Sequence, residues 1–246
     1  MSKTNDSREA VVFIHGIWAS PANLFPMSMR VQREGYKTSL FGYNSVIKSP
    51  EQNAKSLARF IERIDADVIH LVAHSLGGLV LKHCMHAHAP ENIGQVVMLG
   101  TPLKGSEVAH QFSQHDVTKF FLGRSTERGL LGGAPPWPAG RPLGMIAGRR
   151  GFGLATLLQM ADVYMEEKAN QPTGGKRVSG RAVISAAIEG NGEPNDGLVN
   201  LSETISEEVT HRYELRQGHT GMLLSNEAAK ATLCYLQNGN FDRLAK

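Results

Sequence analysis

Ser75 lies in the segment Leu71-Val-Ala-His-Ser-Leu-Gly-Gly78, between an apolar run and a stretch with helical character. A serine hydroxyl becomes a useful nucleophile when it is lifted clear of the surrounding chain and set beside a base. A sharp strand-to-helix turn does the lifting. It raises Oγ above the sheet edge and holds the serine backbone in a strained conformation. Strand and helix then run so close that the positions two before and two after the serine must be small, and here they are Ala73 and Gly77. A helix beginning at Leu76 also turns its positive dipole end toward the serine. Together these features describe a nucleophile elbow. A base and an acid are needed as well. His219 stands in Gly218-His-Thr-Gly-Met-Leu223, and Asp196 in Glu193-Pro-Asn-Asp-Gly-Leu-Val199. Taken alone, the Asp196 segment reads as an ordinary turn and His219 as a structural histidine. Asp162 and Glu193 are rival acids.

The elements that must hold these residues follow from hydrophobic periodicity. Ala10–Ile14 is a continuous apolar run ending in His15-Gly16, the pattern of a strand covered on both faces. A helix is expected over about Pro21–Glu34, ended by Gly35, and a strand over Lys37–Tyr43. Pro50 opens an amphipathic helix with Ala54, Leu57, Ala58, Ile61 and Ile64 on one side. Asp67–Ala73 is the strand before Ser75, Leu76–Ala89 the helix after it, and Gln95–Leu99 a further strand. The alternation favours a parallel sheet with helical crossovers. One helix is expected around Val108–Leu122, followed by the Gly/Pro-rich stretch Gly132–Gly140. This insertion is too long for a plain connection and has the character of a cap or lid. A short strand is expected at Leu143–Ala147, a helix at Phe152–Ala169, a polar turn region at Gln171–Gly180 and a strand at Ala182–Ile188. The placement of 149–193 in the sheet stays open. His211–Leu215 is a late strand, and Asn226–Gln237 the closing helix, capped by Ser225 or Asn226.

These motifs resemble the α/β-hydrolase superfamily, within it the small bacterial lipase and esterase group. Ala73 replaces that family's usual first glycine. The order Ser75, Asp196, His219 is the family's triad order. The Asn-Asp-Gly-x-Val segment, the His-Thr-Gly-Met segment and Leu99-Gly-Thr-Pro-Leu-Lys-Gly-Ser106 are similar to its signatures. The resemblance implies an α/β-hydrolase fold: a mostly parallel sheet with helices on both faces and an inserted cap at about 103–142, in a single domain over 1–246. It implies that His219 deprotonates Ser75, that Asp196 orients His219, and that the backbone N–H groups of Ile17 and Leu76 form an oxyanion hole. His15 is then a support rather than a base. Trp18, Phe120, Phe121 and Met222 are the candidate substrate-lining side chains. The implied activity is hydrolysis of a carboxylic ester through an acyl-enzyme, with thioesterase, amidase or acyltransferase chemistry as alternatives on the same triad. A third reading, a silent scaffold used for binding, needs a broken triad, and no member is missing.

Composition limits the other classes. Of 246 residues, 41% are hydrophobic and 20% charged, which suits a globular chain. The net charge of +3 is too small to argue for nucleic acid. Cys84 and Cys234 lie far apart, outside any metal-ligand spacing, and read as reduced core thiols of a cytoplasmic protein. No run of about 18 apolar residues suggests a membrane span, and Met1–Glu9 has no signal-peptide character. His83, Cys84, His86 and His88 crowd one segment, but with no carboxylate nearby and His88 turned elsewhere no metal is expected. No organic cofactor is expected either. The implied partner is a small-molecule ester with an apolar acyl group. The cap segment carrying Phe112, Phe120, Phe121, Leu122, Leu130, Leu131 and Trp137 is expected to pack on the core and to cover an acyl pocket.

Overall fold

The computed structural model describes residues 8–114, 116–150 and 193–244. The expected helix at Phe152–Ala169, turn region at Gln171–Gly180 and strand at Ala182–Ile188, with the rival acid Asp162, lie outside them.

Six described strands form one parallel sheet in the order β2-β1-β3-β4-β5-β6. They are β1 (Glu9–Ile14), β2 (Lys37–Phe41), β3 (Val68–His74), β4 (Ile93–Leu99), β5 (Gly144–Gly148) and β6 (His211–Leu215). The apolar runs are strands because each feeds two cores at once. In β1, Val12 and Ile14 belong to the layer beneath α2 (Pro50–Ile61) and α3 (Leu76–His88). Val11 and Phe13 belong to the opposite layer, with Met27 and Val31 of α1 (Phe25–Gln32) and Tyr235 and Leu236 of α7 (Asn226–Asn238). Successive strand residues point to opposite faces, so a strand sandwiched between helices has no polar side to show.

β1 sits between β2 and β3, so the chain leaves it first toward one edge and then toward the other. In an open α/β sheet such a switch point leaves a crevice at the carboxyl ends of the strands. His15-Gly16 follows β1 there and Ser75 follows β3.

Several elements differ from the expectations above. The first helix starts as a 3-10 turn, Pro21–Leu24, and only then becomes α1. Pro26 has no N–H to donate, so it opens an α-helix but cannot sit inside one. β2 stops at Phe41, and Tyr43 leaves the sheet to hydrogen-bond His15. The single helix expected across Val108–Leu122 is two helices, α4 (Glu107–Ser113) and α5 (Asp116–Leu122). Ser113 Oγ donates to the His110 carbonyl, and the Gln114 N–H reaches back to the Gln111 and Phe112 carbonyls rather than to that of His110. Side-chain competition of this kind ends a helix. A short helical turn, α6 (Gly221–Leu224), precedes α7, whose N-cap is Ser225, accepting from the Ala228 N–H. No described helix is long and apolar enough to cross a membrane.

Candidate active site

Ser75 occupies the turn between β3 and α3 with φ 54° and ψ −126°. A residue other than glycine holds such a conformation only when its surroundings impose it. Here they do so on several sides. The Ser75 N–H donates to the Leu99 carbonyl at 2.9 Å, and the Ser75 carbonyl accepts from the Gly78 N–H and from Thr101 Oγ1, each at 3.0 Å. The crowding that demands a small residue at 77 comes from β1. A methyl group on Gly77 would stand 2.5 Å from the His15 carbonyl oxygen and 2.6 Å from that of Ile14. The clash that keeps position 77 small therefore lies between α3 and the end of β1, not between β3 and α3 as expected.

That close approach brings the loop after β1 onto the serine. A methyl group on Gly16 would lie 2.9 Å from Ser75 Cβ. Ile17 and Leu76, whose N–H groups are the expected oxyanion donors, have side chains in one apolar cluster with Leu79, Phe112 and Leu122. Leu76 is the first residue of α3, where a backbone N–H has no partner within the helix. His15 is buried beneath this loop. Its Nδ1–H donates to the Gly16 carbonyl at 2.8 Å, its Nε2 accepts from the Tyr43 N–H at 3.4 Å, and its ring stacks on Tyr43 at 4.2 Å. Burial lowers its pKa, so the ring is a neutral brace.

Asp196 and His219 meet on the other side. His219 Nδ1–H donates to Asp196 Oδ2 at 2.7 Å, and the His219 N–H donates to the Asp196 carbonyl at 2.8 Å. The second carboxylate oxygen accepts from the N–H groups of Leu198 at 3.1 Å and Val199 at 2.9 Å. Asp196 is 1% exposed and His219 3%. A carboxylate this deep requires such partners. With Nδ1 carrying the proton, His219 Nε2 keeps its lone pair for a substrate or a hydroxyl. Glu193, the rival acid, is committed elsewhere: its carboxylate accepts from the Ser202 N–H and Oγ.

Two residues tie the pair to the elbow. Gly100, just past β4, approaches both: a methyl group there would lie 3.1 Å from Asp196 Oδ2 and 3.2 Å from His219 Nδ1. His74, the last residue of β3, donates through Nε2 to the His219 carbonyl at 3.0 Å, and the two rings lie 4.6 Å apart. Burial holds the His74 pKa well below that of free histidine. Between Ser75 Oγ and His219 themselves the described residues make no hydrogen bond. Catalytic contacts of this type often close only on substrate.

Sequence reasoning missed His74, although its place beside Ser75 was a signal. It also missed Glu203, which joins the segment after Asp196 to the start of α4. Its carboxylate accepts from the Glu107 N–H at 2.7 Å and the Asn200 N–H at 3.1 Å. Burial raises its pKa to about 7. Asn200-x-x-Glu203 is a capping box, legible in the sequence as such.

The candidate lining residues separate. Trp18 is half-buried and donates from Nε1 to the Phe121 carbonyl at 2.8 Å, joining the loop after β1 to α5. Phe120 is 70% exposed. Met222 is fully buried, in the core layer with Ile146 and Leu215. His83 Nε2–H donates to the Arg128 carbonyl, and His86 and His88 are exposed. No three metal-ligating side chains gather among the described residues. Cys84 and Cys234 are free and buried, and burial raises the Cys84 thiol to about 12.

Solved structures share this fold. The Bacillus licheniformis lipase BlEst2 in mature form aligns with a TM-score of 0.63 at 16% identity, over 94% of this chain and 93% of its own. The metagenomic carboxyl esterase MGS0156 aligns with a TM-score of 0.57 at 14% identity, over 87% of this chain and 65% of its own. Mouse alpha/beta hydrolase domain-containing protein 10 aligns with a TM-score of 0.55 at 14% identity, over 99% of this chain and 92% of its own. No curated protein matches in sequence. The chain has the α/β-hydrolase fold, and it belongs to the family described as a domain of unknown function, DUF7379, which matches its residues 1–147.

Proposed function

We propose that this chain is a serine hydrolase that cleaves carboxylic esters of small molecules. The observation that carries the reading is the buried His219–Asp196 hydrogen bond of 2.7 Å, packed through His74 against a strained Ser75. In the proposed reaction, His219 Nε2 takes the Ser75 Oγ proton as Oγ bonds to the ester carbonyl carbon. The N–H groups of Ile17 and Leu76 hold the resulting oxyanion; one such donor contributes roughly 3 kcal/mol to the transition state. Imidazolium, stabilised by Asp196, returns the proton to the leaving alcohol. Water, deprotonated by His219, then releases the acid and regenerates Ser75.

The cap at about 103–142 belongs, on this reading, to the same single domain as the sheet. Its Phe112, Leu122 and Leu130 cluster with Leu76 and Leu79, which suits a cover over an apolar acyl group. Trp18 and Phe121 are the lining residues best supported by position, and Met222 is better read as core. That a lipase and a carboxyl esterase share the fold supports ester chemistry. The test is labelling by a fluorophosphonate probe, with Ser75→Ala as control, alongside hydrolysis of short p-nitrophenyl esters. We expect labelling and turnover in the native chain and neither in the variant. A folded native chain that takes no label overturns the proposal.

A further inference from the structure

A second concave surface shares no residue with the candidate active site. It is a cleft of about 490 Å³ between α2 and the 3-10 turn Gly123–Thr126 that follows α5. Gln52, Lys55, Ser56 and Arg59 contribute one face of α2, opposite the side that buries Ala54, Leu57, Ala58 and Ile61. Lys48 enters from the preceding loop. Arg124 is fixed by its N–H, which donates to the Val46 carbonyl at 2.8 Å.

The charge here is concentrated and largely uncompensated. Arg124 pairs with Glu127 at 2.8 Å. Lys48, Lys55 and Arg59 make no ion pair among the described residues. Glu51, on the same helix, is turned to Arg128. Lys55 and Arg59 are four apart on an exposed helix face, a like-charge spacing that disfavours the helix. A concave surface gathering cations at that expense focuses a field suited to an anion.

The apolar side chains nearby are as informative as the charges. Ile47 lines the cleft and is 69% exposed, yet its backbone is held, since its N–H donates to Asn44 Oδ1 at 2.9 Å. Phe120, four residues before Arg124, is 70% exposed. A large apolar side chain, Ile47, held in water beside cations that make no ion pair among the described residues matches a lipid interface, where cations meet headgroup phosphates and apolar tips reach the acyl boundary. The cleft offers no aromatic platform on which a base could stack, which disfavours single-stranded nucleic acid.

We propose that this face docks on an anionic phospholipid surface, with Lys48, Lys55, Arg59 and Arg124 over the headgroups and Ile47 inserted among them. The α5 segment that carries Phe120 also meets Trp18 beside the serine loop, so docking brings the candidate active site to the membrane. The inference does not depend on ester hydrolysis, and its test reads binding alone.

The experiment is co-sedimentation of the full chain with vesicles of phosphatidylcholine, with or without about one-third phosphatidylserine, at roughly 0.1 M salt. Binding to the anionic vesicles is expected, with little to the neutral ones. The variant Lys48→Gln/Lys55→Gln/Arg59→Gln is expected to lower partitioning about tenfold or more. Ile47→Ser is expected to weaken it with charge unchanged. All four positions are exposed, and an unchanged thermal midpoint verifies folding. Equal binding to neutral vesicles, no vesicle binding, undiminished binding by the triple variant, or binding of a single-stranded oligonucleotide in place of vesicles would each overturn the proposal.

Discussion

The Nε2–H of His74 donates to the backbone carbonyl of His219 at 3.0 Å, and the two rings lie 4.6 Å apart at 46°. One residue thus follows the floor strand of the site into Ser75 on its own chain and touches the proposed base across the fold. On the proposed reading it is a positioning residue, since its contact ties the His219 loop to the Ser75 turn. His74→Ala is expected to lower kcat for a soluble ester by about ten- to a hundredfold with little change in KM. Stability should fall by about 1–3 kcal/mol from the lost buried hydrogen bond. His74→Gln keeps an N–H donor and should recover part of kcat. A stability loss with kcat untouched would reduce His74 to a packing role.

Asp196 accepts on both oxygens, two backbone N–H groups on Oδ1 and the His219 ring on Oδ2. Asp196→Asn keeps the shape and the Oδ1 contacts, but it turns an N–H toward His219 Nδ1. The ring must then present its lone pair to residue 196 and its proton to Ser75, the wrong tautomer for a base. kcat should drop by roughly 10⁴-fold with the thermal midpoint nearly unchanged. Steady-state kinetics with a p-nitrophenyl ester, paired with a melting curve, checks both.

The strands, α2, α3 and α7 were legible because each is written in one period, and the segments around Ser75, Asp196 and His219 because turn chemistry is local. What was not legible came from contacts between distant segments. Nothing in the sequence near Gly77 says that the obstructing atoms are carbonyl oxygens of Ile14 and His15. The departure of Tyr43 from β2 depends on His15, 28 positions away. Met222 looked like a pocket residue from its place after His219, but it follows the α6 turn into the core. The break between α4 and α5 is only weakly encoded, by the single turn former Ser113, and the apolar spacing across Val108–Leu122 outweighs it.

Gly16 and Gly77 separate two kinds of damage. A methyl at Gly77 meets the carbonyl of Ile14, the last residue of β1, and that of His15 just past it, which the Tyr43 hydroxyl holds in place. Gly77→Ala should therefore destabilise by about 1–3 kcal/mol or more, read as a lower denaturation midpoint. A methyl at Gly16 meets Ser75 Cβ at 2.9 Å and His74 Nδ1 at 3.2 Å, at the edge of a loop that can yield. Gly16→Ala should cost less stability but displace the Ile17 N–H, and kcat should fall by about tenfold or more. Similar effects of the two substitutions on stability and on kcat would contradict this division.

Glu203 sets a pH dependence of a definite sign. Burial raises its folded pKa to about 7 from 4.5, while its carboxylate holds the start of α4 and the N–H of Asn200. Between those values the folded chain binds more protons at this site than the unfolded chain, so the stability Glu203 contributes is full below pH 4.5 and declines toward pH 7. The buried histidines act in the opposite sense. His15, His70, His74 and His83 have pKa values lowered by burial, so their contribution is full above 6.5 and falls as the unfolded chain takes up protons below it. Comparing native chain and Glu203→Gln isolates the carboxyl, because the histidines are common to both. Relative to Glu203→Gln, the native chain should be more stable at pH 5 than at pH 8 by on the order of 2 kcal/mol. Urea unfolding at the two pH values measures the difference; a relative stability that grew with pH would mean that the N–H groups of Glu107 and Asn200 favour the charged form.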